Sequence, residues 1–279
     1  MRKLLAKGGI AERIRPRVWR RLLSAPAAKF MGCSSDIIDS NAGDFDSKYN
    51  RTPLHVVAAK GDVDSVKALI AQGGRVDTRD LLEASPLHYA SEHGHTQIMR
   101  ALIKAGANVN VQNKYGLSPL LLAAAKGTVE AIVCLAEASA DLSAHDSLGG
   151  TALHLAAQGG HAAALHTLCT YSGEWSNFSL CDKHQKTPLH YAAASPSPSA
   201  VQVLIDAGAD VDAIDRVGSS PLHFASEYGP APAVQALLRA RANPSTRDAY
   251  DGTPLHYSAA RGDVEAIQAL ITAGAGVNV

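Results

Sequence analysis

The sequence predicts an all-α solenoid of stacked helix-turn-helix units with projecting β-turns or hairpins. The first observation is a four-residue phrase, Thr52-Pro53-Leu54-His55, which returns six more times in related form. Its copies begin at residues 52, 85, 118, 151, 187, 220 and 253, so every interval is 33 residues except one of 36. The second observation is that apolar residues recur at helical spacing after each phrase. A fixed period of this length indicates stacked units that bury one another's apolar faces.

Each unit is predicted to contain two helices and a turn, as repeat 2 illustrates. Ser85 can cap the first helix, and Pro86 takes the first helical position, where its missing N–H has no effect. Gly94 separates this helix from a second one, which Gly106 ends in the left-handed conformation. The chain then leads to a projecting turn at residues 113–116. The second helix carries its apolar residues on one face: Ile98, Leu102 and Ile103.

Small side chains explain how the first helices stack. Alanine lets neighbouring helices approach to the short end of the ~8–10 Å packing range. Larger aliphatic residues of the second helices then fill the space beneath. The alanine pairs are Ala58 and Ala59, Ala123 and Ala124, Ala156 and Ala157, Ala192 and Ala193, and Ala259 and Ala260.

Several positions depart from the repeated pattern. Leu121 replaces the histidine of the phrase, and Ala152 replaces the proline. Ser139 and Arg241 stand where glycine should end the second helix, which predicts left-handed strain at both. The 36-residue interval places three extra residues in segment 171–178. We therefore expect the least stable interface between neighbouring repeats to be the one between repeats 3 and 4.

The phrase and its period resemble the ankyrin repeat family over residues 47–279, within an array that we bound at 34–279. Residues 34–46 look like an eroded half repeat. The resemblance implies that the histidine of the phrase faces inward and links its own Thr or Ser to the backbone of the adjoining unit. A structural role is therefore expected for Thr52, His55, His88, His154, His190, His223 and His256.

Residues 1–33 differ from the array. Residues 1–31 hold nine basic residues and one acidic residue, a balance of +8 that leaves −8 for the remainder. An Arg-rich amphipathic composition is typical of a mitochondrial transit peptide. The alternative is a disordered basic tail or translated sequence upstream of the true start. If translation starts at Met31, then Gly32 and Cys33 could carry lipid anchors, although Asp36 departs from that motif. Otherwise we expect a cytoplasmic protein, with the nucleus or mitochondrion as alternatives.

The residues present do not favour catalysis. The sequence holds no phosphate-binding glycine loop, nucleophile elbow, His-Glu-x-x-His or Cys-x-x-Cys motif. Histidines of adjacent repeats lie about 10 Å apart, too far to share a zinc ion that binds nitrogen at ~2.0–2.1 Å. The acidic array repels phosphate, so nucleic-acid binding is not expected. No apolar run reaches the ~20 residues of a membrane span. We therefore expect a monomeric protein that is not an enzyme and has no cofactor.

The remaining candidate for function is the surface. In proteins of the family it resembles, partners dock on the projecting turns and on the inner face of the first helices. We therefore predict a non-catalytic scaffold or adaptor for a partner protein. The alternatives are a regulatory or targeting subunit of an enzyme on another chain, and the interaction half of a larger protein. The candidate partner-binding residues are Leu81, Leu82, Tyr115, Leu117, Leu148, Trp175, Phe178, Tyr228 and Tyr250.

Overall fold

A computed structural model describes residues 49–172 and 180–277. These residues form fourteen α-helices in seven consecutive pairs, which confirms the all-α repeat solenoid. The first helices are α1 (Pro53–Lys60), α3 (Pro86–Glu92), α5 (Pro119–Lys126), α7 (Ala152–Gln158), α9 (Pro188–Ala194), α11 (Pro221–Glu227) and α13 (Pro254–Arg261). The second helices are α2 (Val63–Ala71), α4 (Thr96–Lys104), α6 (Val129–Glu137), α8 (Ala162–Ser172), α10 (Pro198–Asp206), α12 (Ala231–Arg239) and α14 (Val264–Thr272).

The phrase starts each first helix in the predicted manner. Before α3, Ser85 has an extended backbone (φ −95°, ψ 166°) and its side chain meets the backbone N–H of His88. The His88 ring in turn accepts from the Ser85 N–H, so two otherwise unpaired donors are satisfied together. Pro86 follows at the first helical position. The helix therefore begins where the sequence signals place it.

The core runs continuously along the array between two layers of helices. Each first helix packs against the first helix of the next repeat, and each second helix against the next second helix. Alanines such as Ala90, Ala123 and Ala192 are fully buried between first helices, while Leu102 and Leu204 fill the space below. Because no repeat buries these faces alone, the interfaces between repeats supply most of the stability.

The left-handed positions agree with the expectation from the sequence. Gly106 ends α4 at φ 89°, the conformation in which glycine has no Cβ penalty. Ser139 and Arg241 adopt φ values of 63° and 66° at the equivalent places after α6 and α12. Non-glycine residues in this region carry strain of about 1–2 kcal/mol. The left-handed geometry predicted at these two positions is confirmed, and its cost in stability stays a prediction.

The projecting segments are turns rather than two-stranded hairpins. Within the described residues, extended pairing is limited to one isolated antiparallel bridge between His145 and Thr151. None of the fourteen helices is long and apolar enough to cross a bilayer. Several predictions lie outside the described residues: those for the basic segment 1–33, its Met31-Gly32-Cys33 motif, the half repeat 34–46, and the insertion with Trp175 and Phe178.

Candidate functional site

A buried Asp or Asn holds each projecting turn in shape. In the turn of repeat 5, Asp182 Oδ1 accepts the backbone N–H groups of His184 (2.8 Å) and Lys186 (2.9 Å). The same pair of bonds recurs at Asp80, Asn113, Asp146, Asp215 and Asp248. Short carboxylate or amide side chains are suited to this turn because they mimic a backbone acceptor. The periodic acids therefore serve turn structure.

Backbone hydrogen bonds join the turns into one row, which we name the turn ridge. It consists of residues 79–84, 112–117, 145–150, 181–186, 214–219 and 247–252. The N–H of Lys114 donates to the carbonyl of Leu82 (3.0 Å), and that of Ser147 to the carbonyl of Tyr115 (3.0 Å). Equivalent bonds continue as far as Ala249. The ridge is therefore fixed in register along the whole array.

The phrase histidines couple each repeat to the next. His190 Nδ1 accepts the N–H of Thr187 (3.1 Å), so its Nε2 carries the proton and donates to the carbonyl of Ser219 in the following repeat (3.0 Å). His55, His88, His154 and His223 make the same pair of contacts. His256, in the last repeat, accepts the Thr253 N–H. The inward, repeat-linking arrangement is thus found at five of the six positions, and His256 is half-buried at the end of the array.

Burial makes these histidines hard to protonate. Desolvation lowers the pKa of His88 and of His190 from 6.5 to about 4, against the raising effect of each carbonyl partner. Desolvation also lowers the pKa of His55, His154 and His223. All five rings are therefore neutral at pH 7. A second proton, on Nδ1, would point at the backbone N–H of the Thr or Ser that donates to that nitrogen.

The structure corrects one predicted binding residue and supports the accessibility of others. Leu117 is only 5% exposed and packs in the core, so it cannot anchor a partner. Leu81 and Tyr250 are exposed at 61% and 52%. The other four candidates in the described residues are half-buried: Leu82, Tyr115 and Leu148 on the turns and Tyr228 on the inner face. Their role in binding stays a prediction.

The reason for the Leu117 error lies in its place within the turn. The carbonyl of Leu117 accepts both the N–H of Asn113 in its own turn and Nε2 of His88 in the preceding repeat. The residue therefore lies beneath the turn, whatever its side chain. Arg51 and Lys186 occupy the same position and are 5% and 3% exposed. Polarity alone would have placed both in solvent.

These two buried cations make an unexpected contact between repeats. Lys186 Nζ lies 4.8 Å from the ring centre of Phe224, and Asp215 of that repeat supports its charge. Burial nevertheless lowers the pKa of Lys186. Arg51 lies 3.6 Å from Asp80 and 4.7 Å from the Tyr89 ring centre in the next repeat. The sequence did contain a signal for this contact. A basic residue stands directly before the phrase, an Asp follows it 29 residues later, and an aromatic residue follows it 38 residues later.

The inner face of the first helices is more self-contained than predicted. Ser195 is buried and bonds the carbonyl of Ala192 (2.8 Å). Lys126 Nζ lies 3.7 Å from Glu92 Oε1 in the preceding repeat, and Arg261 donates to the carbonyl of Gly229. Polar groups already paired in this way gain less from a partner than groups still in water. The inner face is therefore the lesser candidate surface.

A cleft between repeats 6 and 7 is lined by Phe224, Glu227, Tyr228 and Tyr257, and its volume of about 10 Å³ accommodates one water molecule. Within residues 49–172 and 180–277, no three His, Cys, Asp or Glu side chains converge to hold a metal ion. The extended turn ridge is thus the best-developed candidate site.

Comparison with known proteins agrees with this architecture. The family model described as ankyrin repeats matches three stretches, residues 26–113, 120–215 and 197–279. The chain belongs to the ankyrin repeat family. Ankyrin repeats are generally modules for protein–protein interaction and are typically non-catalytic. A search of curated proteins found no match.

Solved ankyrin repeat domains are similar in structure. The domain of human ASB11 superposes with a TM-score of 0.73 at 28% identity, covering 81% of this chain and 99% of that one. The domain of Bcl-3, described as a unique member of the IkappaB protein family, gives a TM-score of 0.65 at 30% identity. That match covers 80% of this chain and 99% of the other.

Proposed function

We propose that this protein is a non-catalytic scaffold or adaptor that binds a partner protein along its turn ridge. The observation that carries the proposal is the backbone hydrogen-bonded row of turns, whose members are held in one register from Leu81 to Ala249. A surface ordered before binding avoids much of the entropic cost of ordering loops on association. Exposed Leu81 and Tyr250 provide side chains of the kind that anchor interfaces.

Affinity capture with the full chain tests this proposal. A ridge variant would carry Leu81→Ser, Tyr115→Ser and Tyr250→Ser together, and a control would carry Val264→Ser and Ile271→Ser. The control residues are exposed at 65% and 46% on α14, away from the turns. We expect the ridge variant to lose partners that the wild-type protein and the control both retain. Equal recovery by all three proteins, with circular dichroism unchanged, would contradict the proposal.

A further inference from the structure

The two long sides of the array differ in charge. Among the described residues of the second helices and the loops that follow them, exposed carboxylates outnumber exposed cations, and they include Asp64, Glu130 and Asp212. The four middle turns of the ridge, residues 112–117 to 214–219, expose Lys114, Lys183 and Arg216 and no carboxylate. An array whose sequence balance is −8 thus presents cations at its turns.

The end turns of the ridge lack this free positive charge. Arg79 lies 3.8 Å from Glu83 in the turn of repeat 2, and Arg247 lies 3.9 Å from Asp251 in the turn of repeat 7. Each pair is local, with three residues between its members, so its charges largely cancel. The cationic strip is therefore confined to repeats 3–6.

The backbone beneath the strip is held in place. Each of the three cations directly follows the buried Asn or Asp of its turn, and its N–H donates to the carbonyl of the preceding turn: Lys114 to Leu82 (3.0 Å), Lys183 to Leu148 (2.9 Å), and Arg216 to His184 (3.0 Å). The carboxylates of these turns lie below, with Oδ1 of Asp182 and of Asp215 each accepting two N–H groups. A partner approaching from solvent meets the cations first.

The spacing of the charges suits an extended chain. Lys183 Nζ reaches back to the carbonyl of Ser147 (2.7 Å), so positive charge lies over the turns of repeats 3, 4 and 6. Adjacent repeats are about 10 Å apart, and an extended chain advances about 3.3 Å per residue. Acidic residues about three positions apart would therefore face successive turns. Three half-buried residues offer apolar contacts between the charges, and each comes two positions after the buried Asn or Asp of its turn: Tyr115, Leu148 and Val217.

We propose that the cationic strip of Lys114, Lys183 and Arg216 binds an extended acidic segment of a partner protein, with aliphatic or aromatic residues between its spaced carboxylates. This inference rests on the function proposed above and specifies the chemistry of the partner. A long polyanion such as a nucleic acid is disfavoured, because the acidic second-helix side repels phosphate beyond the strip. A short acidic segment interacts only with the strip, within the ~8–10 Å Debye length of physiological salt.

The test uses the full chain and a phage-displayed library of random peptides about twelve residues long, which when extended span about four turns. One variant carries Lys114→Glu, Lys183→Glu and Arg216→Glu. The matched control carries Lys67→Glu, Lys104→Glu and Arg239→Glu, three exposed cations of the second helices with the same change in net charge. Enriched peptides are synthesised and titrated by fluorescence anisotropy, together with versions that carry Gln in place of Glu or Asp.

We expect wild-type protein and control to enrich acidic peptides that contain apolar residues. The strip variant should bind those peptides at least about tenfold more weakly, since three favourable charge contacts become repulsive. Binding should weaken with added salt and with the Gln versions. If the control variant loses as much binding as the strip variant, then overall charge determines binding and the inference is wrong.

Three further outcomes separate this inference from the proposed function. Enrichment of neutral or basic peptides whose binding requires Leu81, Tyr115 and Tyr250 would overturn the acidic partner and keep the ridge. Tighter binding of a single-stranded DNA oligonucleotide through the same three cations would overturn a protein partner for the strip. Peptides that bind equally to the wild-type, strip and Leu81/Tyr115/Tyr250 proteins would contradict both proposals.

Discussion

The interface between repeats 5 and 6 and the interface between repeats 3 and 4 are built from different chemistry. At the first, His190 donates to the carbonyl of Ser219, and Lys186 packs on the Phe224 ring. At the second, Leu121 fills the histidine position and cannot donate to the carbonyl of Gly150. Leu121 is fully buried, and its N–H is accepted by Ser118 Oγ (3.3 Å). One interface depends on satisfied polar groups and the other on apolar burial.

Repeat 3 has lost its polar groups together. Leu122 replaces the tyrosine that in repeat 5, as Tyr191, donates to Asp182 Oδ2 (2.6 Å). Asn113 replaces that aspartate, and its buried Nδ2 has no hydrogen-bond partner. The difference teaches that stacking tolerates either chemistry, whereas sensitivity to acid belongs only to the polar version.

Acid should have the largest effect on this comparison. Because the pKa of His88 and of His190 is about 4 in the folded protein and 6.5 in the unfolded chain, the unfolded chain binds more protons below pH 6.5. The contribution of these histidines to the free energy of unfolding is fully present above pH 6.5. It falls by roughly 3 kcal/mol for each of the two histidines between pH 6.5 and 4, and it levels off below pH 4. Urea unfolding from pH 7.5 to 4 measures this. A flat profile across that range would contradict neutral buried histidines.

Removing one histidine should have the next largest effect. We expect His190→Ala to lower the free energy of unfolding by about 2–3 kcal/mol at pH 7.5, because it leaves buried partners unsatisfied and creates a cavity. The acid sensitivity of the variant should decrease as well. His166→Ala, at an exposed position of α8, serves as the control and should change stability by less than about 0.5 kcal/mol. If the two substitutions lower the free energy of unfolding equally, then the structural role assigned to His190 is wrong.

Converting the apolar interface to the polar kind gives a finer test. In a Leu121→His variant, the new hydrogen bonds should offset the lost apolar burial, leaving the unfolding free energy within about 1 kcal/mol of wild type at pH 7.5. Below pH 6.5 the variant should lose stability faster than wild type. Hydrogen exchange in α5 and α7 would locate the change. A stability difference that does not vary with pH would show that the interface did not become histidine-linked.

Relief of backbone strain should have the smallest effect. Ser139→Gly and Arg241→Gly should each raise the unfolding free energy by up to about 1 kcal/mol, since glycine tolerates positive φ. Gly106→Ala is the converse control, because an added Cβ there meets no atom within 4 Å and only strain remains. It should destabilise by about 1 kcal/mol. Thermal melts of the three variants measure these shifts, and equal melting temperatures would argue against strain at these helix ends.

The sequence by itself determined the repeat through its 33-residue period. It also determined the helix starts, because these depend on signals within about one turn of chain. Pro86 and Ser85 specify a helix start locally, and Gly106 favours a helix end because glycine tolerates positive φ. The recurring turn acids were equally local, since each bonds N–H groups two and four residues ahead.

Only the tertiary structure decided which turn residues face solvent and which charges are free. Leu117 and Lys186 looked like surface positions. However, the histidine of the preceding repeat bonds the carbonyl of each residue, and both side chains therefore lie beneath the turn. The cationic strip was equally hidden, because Lys114, Lys183 and Arg216 are 69 and 33 residues apart in sequence. They form one surface only because repeats stack in register, a relation between distant segments that no local signal encodes.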